Sequence, residues 1–477
     1  MILKIIMSKI VKNSLWGIVA NIFQNLFYSI FFVIVARKYS TDDFSNYILA
    51  NTIYGFVLAF SSLGLGQWFI RALKTTQDKE ELIHSFFKIQ IIIGFVFYLV
   101  NVLIVYSIYD SWMIRELSLL IGINVVFDNI IYVIKNINIA YMQQRKSFSI
   151  ITVEAFLKLL FGVLLFYTSI PIVSLAFFLI LLRILTLNLF LNIGTTFHLN
   201  VSSLFKAKLN IAVIKEIVYA NWPFIIIGSL SVVYWRIGNI IISKYLPLKD
   251  VAEYEISFKL FSLAETVPII ISSTVFPVLV EKVKEGNLFA KNIFKMTFPF
   301  YAIYGLLSFT FIATFSGYFI PLLFGKNYTG VSFHTIEMFL TMLIFPTALL
   351  QANLLIALQM EKVDMWFNII SLIINLAISF IGIQLFKTLS VINYAIFFSF
   401  ILFHIFQDIV LYKQRLVSLK EIMVHYFLLC TTVFLYYFMS SLFSNYIGFF
   451  VFWTILCFII LFIHFRVSTF KLYPIKM

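Results

Sequence analysis

Runs of about 20 apolar residues recur along this chain from end to end, separated by short joints that carry most of its charge. At roughly 1.5 Å rise per residue, a helix of that length crosses a hydrocarbon core about 30 Å thick. Hydrophobic residues make up 62% of the chain and charged ones 12%, whereas a soluble domain carries about 25% charged residues. No soluble fold can cover that much apolar surface. A membrane β-barrel would need short alternating segments, which the sequence lacks. The pattern therefore predicts an all-α polytopic membrane protein.

Apolar runs set against charged joints place spans at about 14–36, 45–70, 84–108, 117–142, 148–168 and 171–193. After the polar stretch Gly194 to Lys215, further spans fall at about 216–243, 252–280, 292–315, 332–358, 364–386, 390–412, 420–441 and 446–465. The total is about 14. The formal charge of +14 does not point to nucleic acid, because the basic residues sit in joints and form no single face or tail. With the N-terminus inside, inner joints hold about 23 Lys and Arg, including Arg145, Lys146, Lys206, Lys282 and Lys413. Outer joints hold about seven, such as Arg37, Lys38, Arg115 and Lys326. That bias predicts cytoplasmic termini. The opening segment reads as a retained amphipathic lead-in, with Met7 as an alternative start. Cys430 and Cys457 fall inside late spans, so no disulfide framework, metal site or cofactor is expected.

One joint repeats. Lys38-Tyr39-Ser40-Thr41-Asp42-Asp43-Phe44-Ser45-Asn46-Tyr47 recurs, with one insertion, as Lys244-Tyr245-Leu246-Pro247-Leu248-Lys249-Asp250-Val251-Ala252-Glu253-Tyr254. These joints follow spans 1 and 7. An offset of six, an even number, gives both halves the same orientation, so they are parallel repeats. The predicted organisation is an N-terminal lobe over 1–193, a cytoplasmic linker over 194–215, a C-terminal lobe over 216–412, and two appended helices with a tail over 413–477.

Ionisable groups inside spans cost about 2.5–3.5 kcal/mol each on insertion scales and face the protein interior or a watery cavity. Here they are Asp128, Lys135, Glu154, Lys158, Arg183, Arg236, Lys259, Glu265 and Glu337. Glu154 and Lys158 have the spacing of an intrahelical ion pair. Lys135 and Glu337 lie near span ends, where they can snorkel, and Arg183 receives no role. Arg236 and Lys259 lie on successive spans in the outer half of the bilayer. Arg offers a planar fork for phosphate oxygens and Lys a point charge; the competing reading pairs them with Asp128 or Glu265. Asn21, Gln24 and Asn25 share one face of span 1, which is expected to look inward, either to bind sugar hydroxyls or to bond a neighbouring helix. Pro223, in Asn221-Trp222-Pro223, would kink span 7 or occupy its first turns.

The order and spacing of several short motifs resemble the polysaccharide-repeat flippases of the Wzx type, within the multidrug/oligosaccharidyl-lipid/polysaccharide exporter superfamily. They are Val35-Ala36-Arg37-Lys38-Tyr39 with Asp42 to Tyr47, Gly64-Leu65-Gly66 and Arg71, Arg236-Ile237-Gly238-Asn239-Ile240-Ile241-Ile242, Phe258-Lys259-Leu260, and Phe324-Gly325-Lys326-Asn327-Tyr328. The resemblance implies a non-enzymatic flippase in the bacterial inner membrane, serving O-antigen or lipopolysaccharide assembly. Its substrate would be an undecaprenyl-diphosphate-linked oligosaccharide repeat, moved to the outer leaflet by alternating access, with membrane lipid and a polysaccharide polymerase as partners. Cationic cavities in that family match Arg71, Arg236 and Lys259, with Lys158 and the span 1 amides as further substrate contacts. Asp128 and Glu265 stand as coupling-ion candidates. Trp235 replaces an Asp that many relatives carry before the span 7 Arg.

Two other readings compete. A polytopic glycosyltransferase or polymerase would use Asp42 and Asp43, but such enzymes hold a large outer loop and every joint here is short. A multidrug exporter of the same superfamily would have neither two extra helices nor a cationic bias, since many drugs are themselves cations.

Overall fold

A computed structural model describes residues 2–61, 65–195, 197 and 229–472. Among these, the regular structure is helical, and 11 helices are long and apolar enough to cross a membrane. Three more predicted spans appear as helices outside that count. Span 2 is Thr41–Ser61 (α2) followed by Leu65–Thr75 (α3), span 7 is represented by the helix 229–245, and span 14 is Tyr446–Leu472. Pro223 and most of the predicted linker lie outside the described residues. The chain is an all-helical, multi-span membrane protein.

The structure divides into two compact units, Met1–Ala252 and Glu253–Met477. In the first, α1 (Ile2–Lys38) lies along α7 (Gln144–Leu165), and α4 (Lys79–Ile108) lies along α6 (Asn124–Ala140). The remaining elements are α5 (Trp112–Gly122), α8 (Ile172–Asn192) and α9 (229–245). The core is apolar, with Leu65, Phe69, Phe86, Ile134 and Phe190 buried together and the rings of Phe69 and Phe86 stacked at 4.0 Å.

The repeated joints both turn one helix sharply into the next. α1 ends at Lys38 and α2 begins at Thr41; α9 ends at 245 and α10 (Lys249–Glu285) begins at Lys249. Asp42 and Asp43 occupy the first turn of α2, where carboxylates complement the exposed amide dipoles. The Ser40 hydroxyl accepts from the Asp43 amide at 3.1 Å and donates to its carboxylate at 2.8 Å. These acids are helix-start residues.

The second unit contains most of α10, then α11 (Asn287–Phe324), α12 (Val331–Leu340), α13 (Phe345–Ala357), α14 (Glu361–Phe386), α15 (Ser390–Lys413), α16 (Leu419–Ser440) and α17 (Tyr446–Leu472). Its core joins Leu279, Phe294, Leu350, Leu354 and Leu411. Phe449, Trp453 and Cys457 of α17 pack with Tyr436 against Ile303, Leu306 and Leu307 of α11.

Spans 4 and 10 are each interrupted near the middle. Span 4 breaks between Gly122 and Asn124. Span 10 passes through a 3-10 turn, Thr341–Leu343, before α13. Pro346 explains the second break: it cannot donate to the carbonyl four residues back, that of Met342, and its ring crowds that position. The Met342 carbonyl instead faces α11, where a Cβ on Gly305 would lie 2.4 Å from its oxygen. In span 4 a Cβ on Gly122 would meet the Asn101 amide, whose nitrogen donates to the Ser118 carbonyl at 3.0 Å. Matching breaks six spans apart are what a parallel repeat produces.

Candidate functional site

Charge buried in a membrane segment must be matched, and in the first unit four ionisable side chains match one another. Arg183 of α8 reaches α6 and α7, pairing through one nitrogen with Asp128 and through another with Glu154 at 2.5 Å. The Lys158 ammonium lies 2.9 Å from the second Glu154 oxygen, one turn along α7. Tyr54 of α2 donates to Asp128, and the Tyr28 ring of α1 lies 5.1 Å from Lys158. Two cations and two carboxylates cancel. Glu154 is 1% exposed and Asp128 9%, so each carboxylate depends on its partners.

This cluster takes in three residues singled out in the sequence. Arg183, given no role from sequence, is its centre. Lys158 forms the intrahelical pair its spacing allowed. Asp128, a coupling-ion candidate, has one oxygen on Arg183 and the other on Tyr54.

The amide face of α1 does not act as a unit. Gln24 is buried and donates to the Phe148 carbonyl at 3.2 Å and to Thr152 Oγ1 at 3.0 Å, which is helix-to-helix bonding. Asn25 is half-buried and Asn21 is exposed.

Among the predicted cations, Arg71 stands exposed on α3, opposite the buried Leu65, Phe69 and Leu73. Arg236 on α9 and Lys259 on α10 are half-buried, as is Glu265. Lys259 has a feature the sequence reading passed over: Glu255, 4% exposed, stands one turn before it on the same helix. Trp235 is buried with its ring edge-on to Tyr234 at 5.5 Å.

Three contacts tie α9 to earlier helices within the first unit. Asn239 donates to Thr52 Oγ1 at 3.0 Å, and Ser243 and Tyr109 share a hydrogen bond of 2.7 Å. Lys244 donates to the Ile108 carbonyl and sits 4.6 Å from the Tyr109 ring centre. Burial pushes the Tyr109 hydroxyl above the usual phenol range, so it remains a donor at physiological pH.

The second unit holds polar clusters that the sequence reading missed. Glu337 is 3% exposed and accepts from Asn393 at 3.1 Å, with His334 at 2.9 Å, so it is buried where snorkelling was expected. His404 and Asp408 of α15 meet Tyr426 of α16. The spacings i,i+3 and i,i+4 of these His and acid residues were the available signal. Among the described residues no group of three or more His, Cys, Asp or Glu side chains is placed to hold a metal ion.

A family model described as polysaccharide biosynthesis protein matches residues 10–283, more than half of the chain. The chain belongs to that family. No curated protein matches this member of the polysaccharide biosynthesis family by sequence. Its fold is that of MOP-superfamily transporters. The lipid II flippase MurJ, in an inward closed conformation, superposes with TM-score 0.71 at 13% identity, covering 95% of this chain and 98% of that one. An inward-facing multidrug resistance MATE family transporter of the MOP superfamily gives TM-score 0.66 at 12% identity, covering 83% and 96%. A MOP superfamily transporter from Pyrococcus furiosus gives 0.57 at 13%, covering 86% and 96%.

Proposed function

We propose that this protein is a flippase that moves an undecaprenyl-diphosphate-linked oligosaccharide from the inner to the outer leaflet of a bacterial cytoplasmic membrane, for O-antigen or related surface polysaccharide. The observation that carries the reading is membership of a polysaccharide biosynthesis family together with a transporter fold. The likeness to a lipid II flippase runs over 95% of the chain, against 83% for the multidrug transporter. Favouring a lipid-linked sugar over a drug, this also suits the basic sequence, since a diphosphate is an anion.

In this reading the lobes 1–193 and 216–412 provide alternating access, with both termini cytoplasmic and a polymerase consuming the product. Arg236, Lys259 and Arg71 supply a cationic path for the diphosphate while the prenyl tail remains in lipid. The Arg183 cluster serves as a rigid strut within the first lobe.

The test is substitution at the path. Arg236→Ala and Lys259→Ala are expected to lower translocation of lipid-linked oligosaccharide at least tenfold in cells, with normal membrane levels of the protein. Arg236→Lys should recover part, because Lys lacks the bidentate fork. Normal transport in both alanine variants would remove these residues from the path.

A further inference from the structure

The Arg183 cluster balances without Lys135. Asp128 and Glu154 supply two negative charges, and Arg183 and Lys158 answer both. Lys135 of α6 is a third cation in the same packing, and among the described residues its ammonium has no hydrogen bond and no ion pair. Of the 21 Asp and Glu residues in the chain, only Glu216 lies outside the described residues. The Glu154 charge bears on Lys135, yet its two oxygens are already taken by Lys158 and Arg183. One positive charge is left over.

Helical spacing fixes where that charge stands. Asp128, Tyr132, Lys135 and Ile139 fall at i, i+4, i+7 and i+11, a single stripe along α6. Exposure rises along it from Asp128 at 9%, through half-buried Tyr132 and Lys135, to Ile139 at 44%. The stripe therefore leads from the closed cluster to the exterior of the unit. Tyr132 accepts from the Gly66 amide at 2.8 Å, and Lys74 lies 5.6 Å from the Tyr141 ring centre, so α3 runs in the same direction as α6. Arg71 of α3 is then about one turn nearer the open end than Lys135. Asn138 donates to Ser147 Oγ at 2.8 Å and α7 runs back from there, which puts Glu154 about one turn deeper than Lys135. Snorkelling would take the ammonium toward Ala140, the nearer end of α6. That is the C-terminal end, and helical side chains lean toward the N-terminus.

We propose that Lys135 is the anchoring contact of the first unit for a diphosphate, that of the lipid-linked cargo. A cation in a spanning helix is costly until water or an anion meets it. An anion that passes Arg71 meets the Lys135 ammonium one turn deeper and stops there, because both cations beyond it are already paired. Lys presents a compact charge with three rotatable donors and no fixed fork, which suits a group that must arrive, turn and leave. The inference rests on the proposed flippase function for the identity of the cargo, and on the charge excess and the stripe for the anion site itself.

The experiment is equilibrium binding of radiolabelled inorganic diphosphate to the full-length protein in phosphatidylcholine nanodiscs. Lys135→Gln should weaken binding about tenfold or more, the effect of losing a charge-assisted contact. Lys135→Arg should stay within about threefold of the wild type. Lys79→Gln, which removes an exposed charge at the start of α4, should leave binding unchanged. Lys135→Gln should unfold at or above the wild-type temperature, since no partner is stranded. In cells it should lower translocation of lipid-linked oligosaccharide, with Lys135→Arg close to normal. The proposal is overturned if the wild type does not bind diphosphate, if Lys135→Gln binds as well as the wild type, or if Lys79→Gln loses as much. Unfolding of Lys135→Gln below the wild-type temperature also overturns it, because Lys135 would then be matched within the fold. So does displacement of diphosphate by phosphatidylglycerol added to the discs, which would make Lys135 a contact for the surrounding bilayer. Normal translocation by Lys135→Gln, where the wild type transports, does the same. If the wild type moves no lipid-linked oligosaccharide, the flippase reading falls, and the binding measurement still decides the anion site.

Discussion

Arg183 illustrates what residue spacing can and cannot reveal. The Glu154–Lys158 pair is written in the sequence because its partners stand one turn apart. Arg183 reaches Glu154 from 29 positions away and from another helix, so only packing could disclose it. Removing one member of a buried ion cluster strands the others, at a cost of about 3–5 kcal/mol. Arg183→Ala should therefore lower the thermal unfolding temperature of the detergent-solubilised protein sharply, and a companion Asp128→Asn should recover part of that loss. An Arg183→Ala protein as stable as the wild type would mean that the cluster is hydrated. Lys259 carries the opposite lesson: Glu255 is one turn away in the sequence itself, and the spacing was there to be read.

Helix length and the position of charge made the span limits legible, because a bilayer imposes one thickness on every crossing segment. The breaks within spans 4 and 10 were not, since apolar content stays high through both. Pro346 was the visible sign of one; Gly122 acquires meaning only beside Asn101. Gly305 sits where α11 approaches the freed Met342 carbonyl, and a side chain there has no room. Gly305→Val should destabilise the protein by about 1–3 kcal/mol through overpacking, whereas Gly317→Ala, with open space around its Cβ position, should unfold at the wild-type temperature. Equal effects at both sites would refute the close-approach explanation. For α16 and α17, nearly bare of internal charge, sequence predicts a lipid- or prenyl-facing surface. The exposed apolar side chains of α16 suit that role, and the packing of Trp453 on α11 anchors the pair. Truncation after Leu416 should then abolish transport of the lipid-linked substrate; normal transport by the truncated chain would show the two helices to be dispensable.

At the scale of the molecule, composition established a membrane protein, and a short repeated joint pointed to duplicated halves. The family match and the transporter fold agree with the resemblance that the motifs carry. The candidate site was less legible than the fold: cations could be named, but the way they are matched depends on contacts between helices. Direct flipping is the central claim. It is tested most directly by measuring, in cells lacking the gene, how undecaprenyl-diphosphate-linked oligosaccharide divides between the two membrane leaflets, before and after the gene is restored. The account predicts accumulation on the cytoplasmic face without the protein and transfer to the outer face with it, while Arg236→Ala leaves the accumulation in place. An unchanged distribution between leaflets when the protein is removed, with surface polysaccharide still made, would contradict it.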